Sequence, residues 1–307
     1  MKDLVILGNG MAGMTAALYA KRANLDFEIV GKNEYEYGQI ADAILVENFP
    51  STEPMPGFDL ADKLHDQLIS NEIKIQEHYI STIERKSDDG AFRVISNDGW
   101  YTDAISVIYA LGCKHNELKC NNEANAPFHY CAICDGPLYK GKNVAVIGGG
   151  DAAFTQAEYL SNICEFVSIV MCDRNVTTFP STFDRVLKIP NVQIIYDFPV
   201  SKIIWNEDRQ RYSLLCDNMP IHSINVNGIF VAIGMNPNTR DIITHPDINY
   251  ILDEHGYIMS DIDGNTACLG FFAAGDVKQK RLRQALTAAA DGANAVQLAT
   301  QYIQRYK

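Results

Sequence analysis

The chain has 307 residues, 47% hydrophobic and 21% charged, which suits a soluble globule of two domains and excludes a disordered chain. A formal net charge of −12 at pH 7 argues against a nucleic-acid binder. No apolar run approaches the roughly 18 residues of a membrane span, and Met1-Lys2-Asp3 leads straight into a strand pattern with no room for a signal peptide, so a cytoplasmic protein without membrane contact is expected.

Asp3-Leu4-Val5-Ile6-Leu7 predicts a short buried strand, followed by Gly8-x-Gly10-x-x-Gly13 and a helix through Met14-Thr15-Ala16-Ala17-Leu18-Tyr19-Ala20. Glycines between a strand and a helix permit a tight turn, close backbone approach to a pyrophosphate and close helix packing, while the helix N-terminus offers free N–H groups. Next comes Cys131-Ala132-Ile133-Cys134-Asp135, a thiol pair at the spacing of disulfide exchange chemistry. Zinc would need a second such pair, which Cys113, Cys120, Cys164, Cys172, Cys216 and Cys268 do not supply, so no metal site is expected. The glycine design then returns, with strand Asn143-Val144-Ala145-Val146-Ile147, turn Gly148-x-Gly150-x-x-Ala153 and a helix through Phe154 to Leu160. Gly228 to Gly234 and Gly270 to Asp276 each read as a strand with a following turn, and Arg283 to Tyr306 as a long packed helix. Asp276, just past its strand, suits either a bond to a ribityl or ribose hydroxyl or a helix cap.

With both glycine turns, the segment Cys131 to Gly136 between them, Gly38-Gln39, Val46-Glu47-Asn48-Phe49-Pro50, Gly275-Asp276 and Arg283-Gln284-Ala285, the chain resembles the low-molecular-weight thioredoxin reductases over nearly its whole length. The resemblance implies an α/β fold of two Rossmann-like dinucleotide-binding domains in three layers on parallel sheets, the second inserted in the first. An FAD domain would comprise residues 1–114 and 242–307, and an inserted NAD(P)H-binding-like domain carrying the dithiol would span 115–241. It implies FAD along the first turn, near Gly8, Gly10, Met11, Ala12 and Gly13. Gly38, Gln39 and Asn48 would lie by the flavin, and Gly275, Asp276, Arg283, Gln284 and Ala285 would complete the site. Cys134 would face the flavin, Cys131 would exchange with the disulfide of thioredoxin, and Asp135 would protonate the leaving thiolate or cap the following segment. A homodimer is also implied.

The chain departs from the resemblance where NADPH-dependent members carry His-Arg-Arg, and a further Arg, for the adenosine 2′-phosphate. Here Val170 runs into Met171-Cys172-Asp173, and the later position is Thr177. Losing two or three charge-assisted contacts removes about 3–9 kcal/mol of binding. The donor implied is reduced ferredoxin, as in relatives that lack the clamp. NADH is the alternative, with Asp173 on the ribose diol, and NADPH or a dithiol oxidase is less favoured. Lys278-Gln279-Lys280-Arg281-Leu282-Arg283 reads either as a basic docking surface for an acidic ferredoxin or as a solvated loop.

Overall fold

The computed structural model describes residues 1–33, 35–43, 46, 48–86, 90–217 and 223–307. Two compact units emerge, Met1–Lys114 with Asn236–Lys307, and His115–Met235. The return to the first unit comes at Asn236, earlier than the expected residue 242, because Asn238 and Thr239 bond there. Asn238 N–H donates to Gly112 O and its side chain to Leu111 O, while Thr239 Oγ1 donates to Gly256 O.

In the first unit, strand Lys2–Leu7 pairs in parallel with Phe27–Gly31 and Tyr101–Tyr109. Ile75–Glu77 and Phe271–Ala273 extend the parallel part, and Phe92–Ser96 with Ile80–Arg85 form an antiparallel arm. Alternation along the first strand assigns its faces. Leu4 and Ile6 join the core beneath helices Met11–Arg22 and Ala285–Tyr306, whereas Val5 and Leu7 join a second core with Phe92, Val94, Ile243 and Ile258.

The second unit repeats the plan. Strands Val192–Ile195, Phe166–Val170, Asn143–Ile147, Gly228–Val231 and Phe128–His129 lie in that order, all parallel. Val144 and Val146 pack under helix Asp151–Ser161, and Ala145 and Ile147 pack against an antiparallel layer holding Ile203, Leu214 and Ile224. Each unit is therefore an α/β dinucleotide fold, whose ligands bind beyond the carboxyl ends of the parallel strands. No helix among the described residues is long and apolar enough to cross a membrane.

Candidate active site

The first glycine turn divides its labour. Gly8 has φ +105°, and a Cβ there would sit 2.4 Å from Ala110 O; one at Gly13 would sit 1.8 Å from Gly8 O. These two glycines let backbone touch backbone. A Cβ at Gly10 would meet nothing closer than Tyr37 O at 3.4 Å, so what its missing side chain leaves is room beside the helix start. No side chain caps the helix that begins at Met11, so its first N–H groups keep their capacity for an anion.

Around that turn the structure gathers the expected residues from both stretches of the first unit. Gln39 Nε2 donates to Cys113 O, Cys113 Sγ lies 3.0 Å from Asp276 O, and Asn48 Nδ2 donates to Gln284 Oε1 at 3.0 Å. Gly38 has φ +71° with open space around its missing Cβ, and Gly275, φ +79°, lies against Ala12. Arg283 Nε donates to Asp276 O, and its guanidinium lies 4.7 Å from the centre of the Tyr257 ring. Ala285 opens the last helix, with Gln284 and Thr287 closing a capping box. Glu47, within the quoted motif, lies outside the described residues.

Asp276 carries the clearest chemical signal. Its Oδ1 is buried and accepts no hydrogen bond, with Lys280 Nζ 3.4 Å away as an ion pair. Burial holds its carboxyl above the usual range, with Lys280 and Arg283 opposing. Burial likewise pushes the nearby Cys113 thiol up to about 12, which leaves it inert as a nucleophile.

Most of the basic cluster turns inward and not to solvent. Lys278 is 3% exposed, and its Nζ donates to Asp291 Oδ1 at 3.1 Å and to Ile262 O. Lys280 Nζ donates to Asp291 Oδ2 at 2.9 Å. Arg283 is held as described, which leaves Arg281 as the exposed cation of the four. Buried cations need partners, and Asp291, in the middle of the last helix, supplies one for both lysines. Its Oδ2 also accepts the Gly275 N–H at 3.0 Å, so one carboxylate ties the Asp276 turn to the helix. Sequence reasoning did not single out Asp291; the signal was an acid followed by glycine inside an Ala-rich apolar helix. The glycine, Gly292, lets that helix approach closely, since a Cβ there would sit 2.1 Å from Ala12 O.

In the second unit, Cys131 and Cys134 form a disulfide with Cα atoms 5.3 Å apart, at the start of the short helix Ala132–Asp135. The Cys134 N–H lies 3.2 Å from Cys131 Sγ, a donor that favours the thiolate when the pair is reduced. Asp135 is 6% exposed and caps nothing with its side chain. Instead its Oδ2 lies 3.0 Å from His129 Nδ1, and His129 Nε2 lies 2.6 Å from the Tyr139 hydroxyl. Asp135 Oδ1 is buried without a partner. Neither His129 nor Tyr139 was marked by spacing; each sits beside the dithiol in the chain, but their convergence on Asp135 requires the fold.

Residues 2–292 match the family described as pyridine nucleotide-disulphide oxidoreductase. The chain belongs to that family. It is 34% identical to the "34.2 kDa protein in rubredoxin operon" of Clostridium pasteurianum over 98% of this chain and 97% of that protein. It is 32% identical to a thioredoxin reductase of Listeria innocua, over 99% and 95%. Among solved structures it resembles the thioredoxin reductase of Streptococcus pyogenes, at 33% identity with a TM-score of 0.87 over 99% of both chains.

As a pyridine nucleotide-disulphide oxidoreductase of this kind the chain uses FAD. The first unit fits that cofactor: Asp276 presents a buried acceptor suited to a hydroxyl, Gly10 leaves a cradle, and the uncapped helix offers N–H groups to a pyrophosphate. At the second glycine turn of this oxidoreductase, Gly148 packs as Gly8 does, its Cβ position 2.3 Å from Ala232 O. A Cβ on Gly149 would meet the buried Met171 side chain at 2.5 Å, and Thr177 N–H donates to Gly149 O at 2.9 Å. Asp173 Oδ1 already accepts the Asn175 N–H, and Arg174 is exposed and paired with Asp197 Oδ2 at 2.5 Å.

Proposed function

We propose that this chain is a thioredoxin reductase supplied by reduced ferredoxin. The observation that carries the reductase reading is the Cys131–Cys134 disulfide followed by a buried acid with one free carboxylate oxygen. The relatives named thioredoxin reductase support thioredoxin as the partner.

In the reduced enzyme the Cys131 thiolate, supported by the Cys134 N–H, attacks one sulfur of the thioredoxin disulfide, and the other sulfur leaves with the electron pair. Cys134 then attacks Cys131 Sγ, which closes the enzyme disulfide and frees the second thioredoxin sulfur. Two protons must pass from the enzyme thiols to the departing thiolates, and Asp135 takes and returns them at Oδ1, its free oxygen. Bound FAD supplies the junction between one-electron and two-electron transfer that a ferredoxin donor requires. Gly8, Gly10, Met11, Ala12 and Gly13 would hold its pyrophosphate, and Gly38, Gln39, Asn48, Gly275, Asp276, Arg283, Gln284 and Ala285 the remainder.

The donor reading is supported by Met171, Cys172, Asp173 and Thr177 at the positions of the cation clamp, with Arg174 already paired to Asp197. An acid there repels a 2′-phosphate. A ferredoxin near −400 mV against thioredoxin near −270 mV leaves about 130 mV, roughly 6 kcal/mol for two electrons. Anaerobic mixing of the purified yellow protein with NADPH, NADH or reduced ferredoxin, following flavin bleaching and thioredoxin reduction, tests the donor. Ferredoxin should support both, and rapid bleaching by micromolar NADPH would overturn the assignment. A Cys131→Ser protein should keep its flavin and lose thioredoxin reduction.

A further inference from the structure

The acid beside the dithiol is the end of a buried polar chain. His129 is 2% exposed on strand Phe128–His129, two residues before Cys131, and its imidazole spans Asp135 and Tyr139. A buried histidine with both ring nitrogens engaged is held in one tautomer by its partners. Burial pushes the Tyr139 hydroxyl up to about 12, so it keeps its proton and donates to Nε2. With Nε2 accepting from Tyr139, the Nδ1–H faces Asp135 and donates to its Oδ2. Among the side-chain polar atoms of Asp135, His129 and Tyr139, the arrangement leaves only Asp135 Oδ1 without a hydrogen-bond partner.

We propose that His129 is a positioning residue for the disulfide exchange, which clamps Oδ2 of Asp135 and so leaves Oδ1 as the one oxygen that takes the proton of an attacking thiol and returns it to the leaving thiolate. The inference rests on the reading of Asp135 as the proton carrier. Protons balance: one S–S bond breaks as another forms, the electron pair goes to the departing sulfur, and the proton lost by the attacking thiol waits on Oδ1 until that sulfur takes it. Throughout, the Nδ1–H bond to Oδ2 persists, because Oδ2 accepts whether Asp135 is ionised or neutral. Tyr139 acts one bond further back by preventing the other tautomer, which would set two lone pairs against each other at Oδ2 and Nδ1.

Among the described residues, the hydrogen-bond partners of the His129 ring are Asp135 and Tyr139. Phe230 on the neighbouring strand Gly228–Val231 lies 5.2 Å away, ring to ring, and carries no charge. Among the described residues, the titratable and charged groups facing His129 are Asp135 and Tyr139, with Lys142 5.8 Å from the Tyr139 ring and Tyr212 acting on that hydroxyl through space.

The test uses the FAD-loaded protein, its dithiol pre-reduced, reacting with 2-hydroxyethyl disulfide across pH, with free thiols trapped by alkylation and counted by mass spectrometry. This probe does not depend on which protein is the natural partner, so failure with thioredoxin would strike the functional reading and leave this readout intact. His129→Phe keeps a ring and removes the donor that supports the ionised carboxylate, and the pH midpoint of exchange should rise by about one to two units. His129→Asn, which restores an N–H at the Nδ1 position, should bring it back toward wild type. Tyr139→Phe should move it in the same direction as His129→Phe by less, and decides the matter if His129→Phe fails to fold. An unchanged midpoint in the ring variants, with a lower rate alone, would reduce His129 to a packing role and overturn the proposal. An Asp135→Asn protein that kept the wild-type profile would instead remove the proton-carrier reading beneath it.

Discussion

Replacing Asp291 by alanine should unfasten the flavin side of the first unit. The change removes the acceptor of three donors, Lys278 Nζ, Lys280 Nζ and the Gly275 N–H. Lys280 keeps Asp276 as a partner 3.4 Å away, but Lys278, 3% exposed, is left with one carbonyl, Ile262 O. Breaking a buried ion pair from one side costs about 3–5 kcal/mol, because the remaining charge stays desolvated. The orphaned Gly275 N–H adds about 1–3 kcal/mol, and the better helix propensity of alanine returns only about 0.6 kcal/mol. A net loss of about 3–7 kcal/mol should lower the urea midpoint of flavin release by about 1 M or more. The companion variant Lys278→Met, Asp291→Leu exchanges the pair for apolar groups and should recover most of the loss, since buried pairs gain little over good packing. Flavin fluorescence during urea titration reads both proteins. If Asp291→Ala loses less than about 1 kcal/mol, the carboxylate does not fasten that turn and the burial argument fails.

Other expectations follow from the same geometry. Gly10→Val should fold and lose flavin, because its Cβ has room in the protein alone, whereas Gly13→Ala should fail to fold, its Cβ lying 1.8 Å from Gly8 O; circular dichroism with flavin absorbance separates the two. Asp276→Ala should weaken FAD about 5- to 150-fold by removing one buried acceptor, measured by titrating apoprotein with FAD. In the wild type, burial raises the Asp276 carboxyl, and a hydroxyl donor favours its ionised form, so FAD affinity should increase as pH rises through the carboxylate range and stability of the flavin-free protein from this group should fall over the same range. Introducing Cys172→Arg, Asp173→Arg and Thr177→Arg together should create a 2′-phosphate site, with NADPH bleaching the flavin at concentrations about a hundredfold lower than in the parent; no gain would show that the second turn is closed for another reason.

Much of the candidate site was legible because its chemistry is local in the chain. A strand, three glycines and a helix follow one another between Lys2 and Arg22, and that order alone marks a nucleotide turn. The thiol pair is likewise fixed by its spacing, and the absence of arginine at Met171, Cys172 and Asp173 is a plain fact of composition. Direction was harder. Lys278, Lys280 and Arg283 look like a solvated basic run, since charge in a sequence carries no sign of which way a side chain points. Only the approach of the last helix, made possible by Gly292 against Ala12, brings Asp291 to them.

The linear order of residues determined the two α/β nucleotide folds, the dithiol between their glycine turns and the run Met171-Cys172-Asp173 after the second, because each is a pattern of neighbours along one segment. Tertiary structure alone decided that Lys278 and Lys280 join Asp291 in an ion cluster, that Asn48 meets Gln284 across the inserted unit's interruption of the chain, and that Asp135 answers to His129 and Tyr139. The physical reason is the same in each case. A buried charge or acceptor must find its partner wherever the packing of separate elements places one, and no periodicity records that choice.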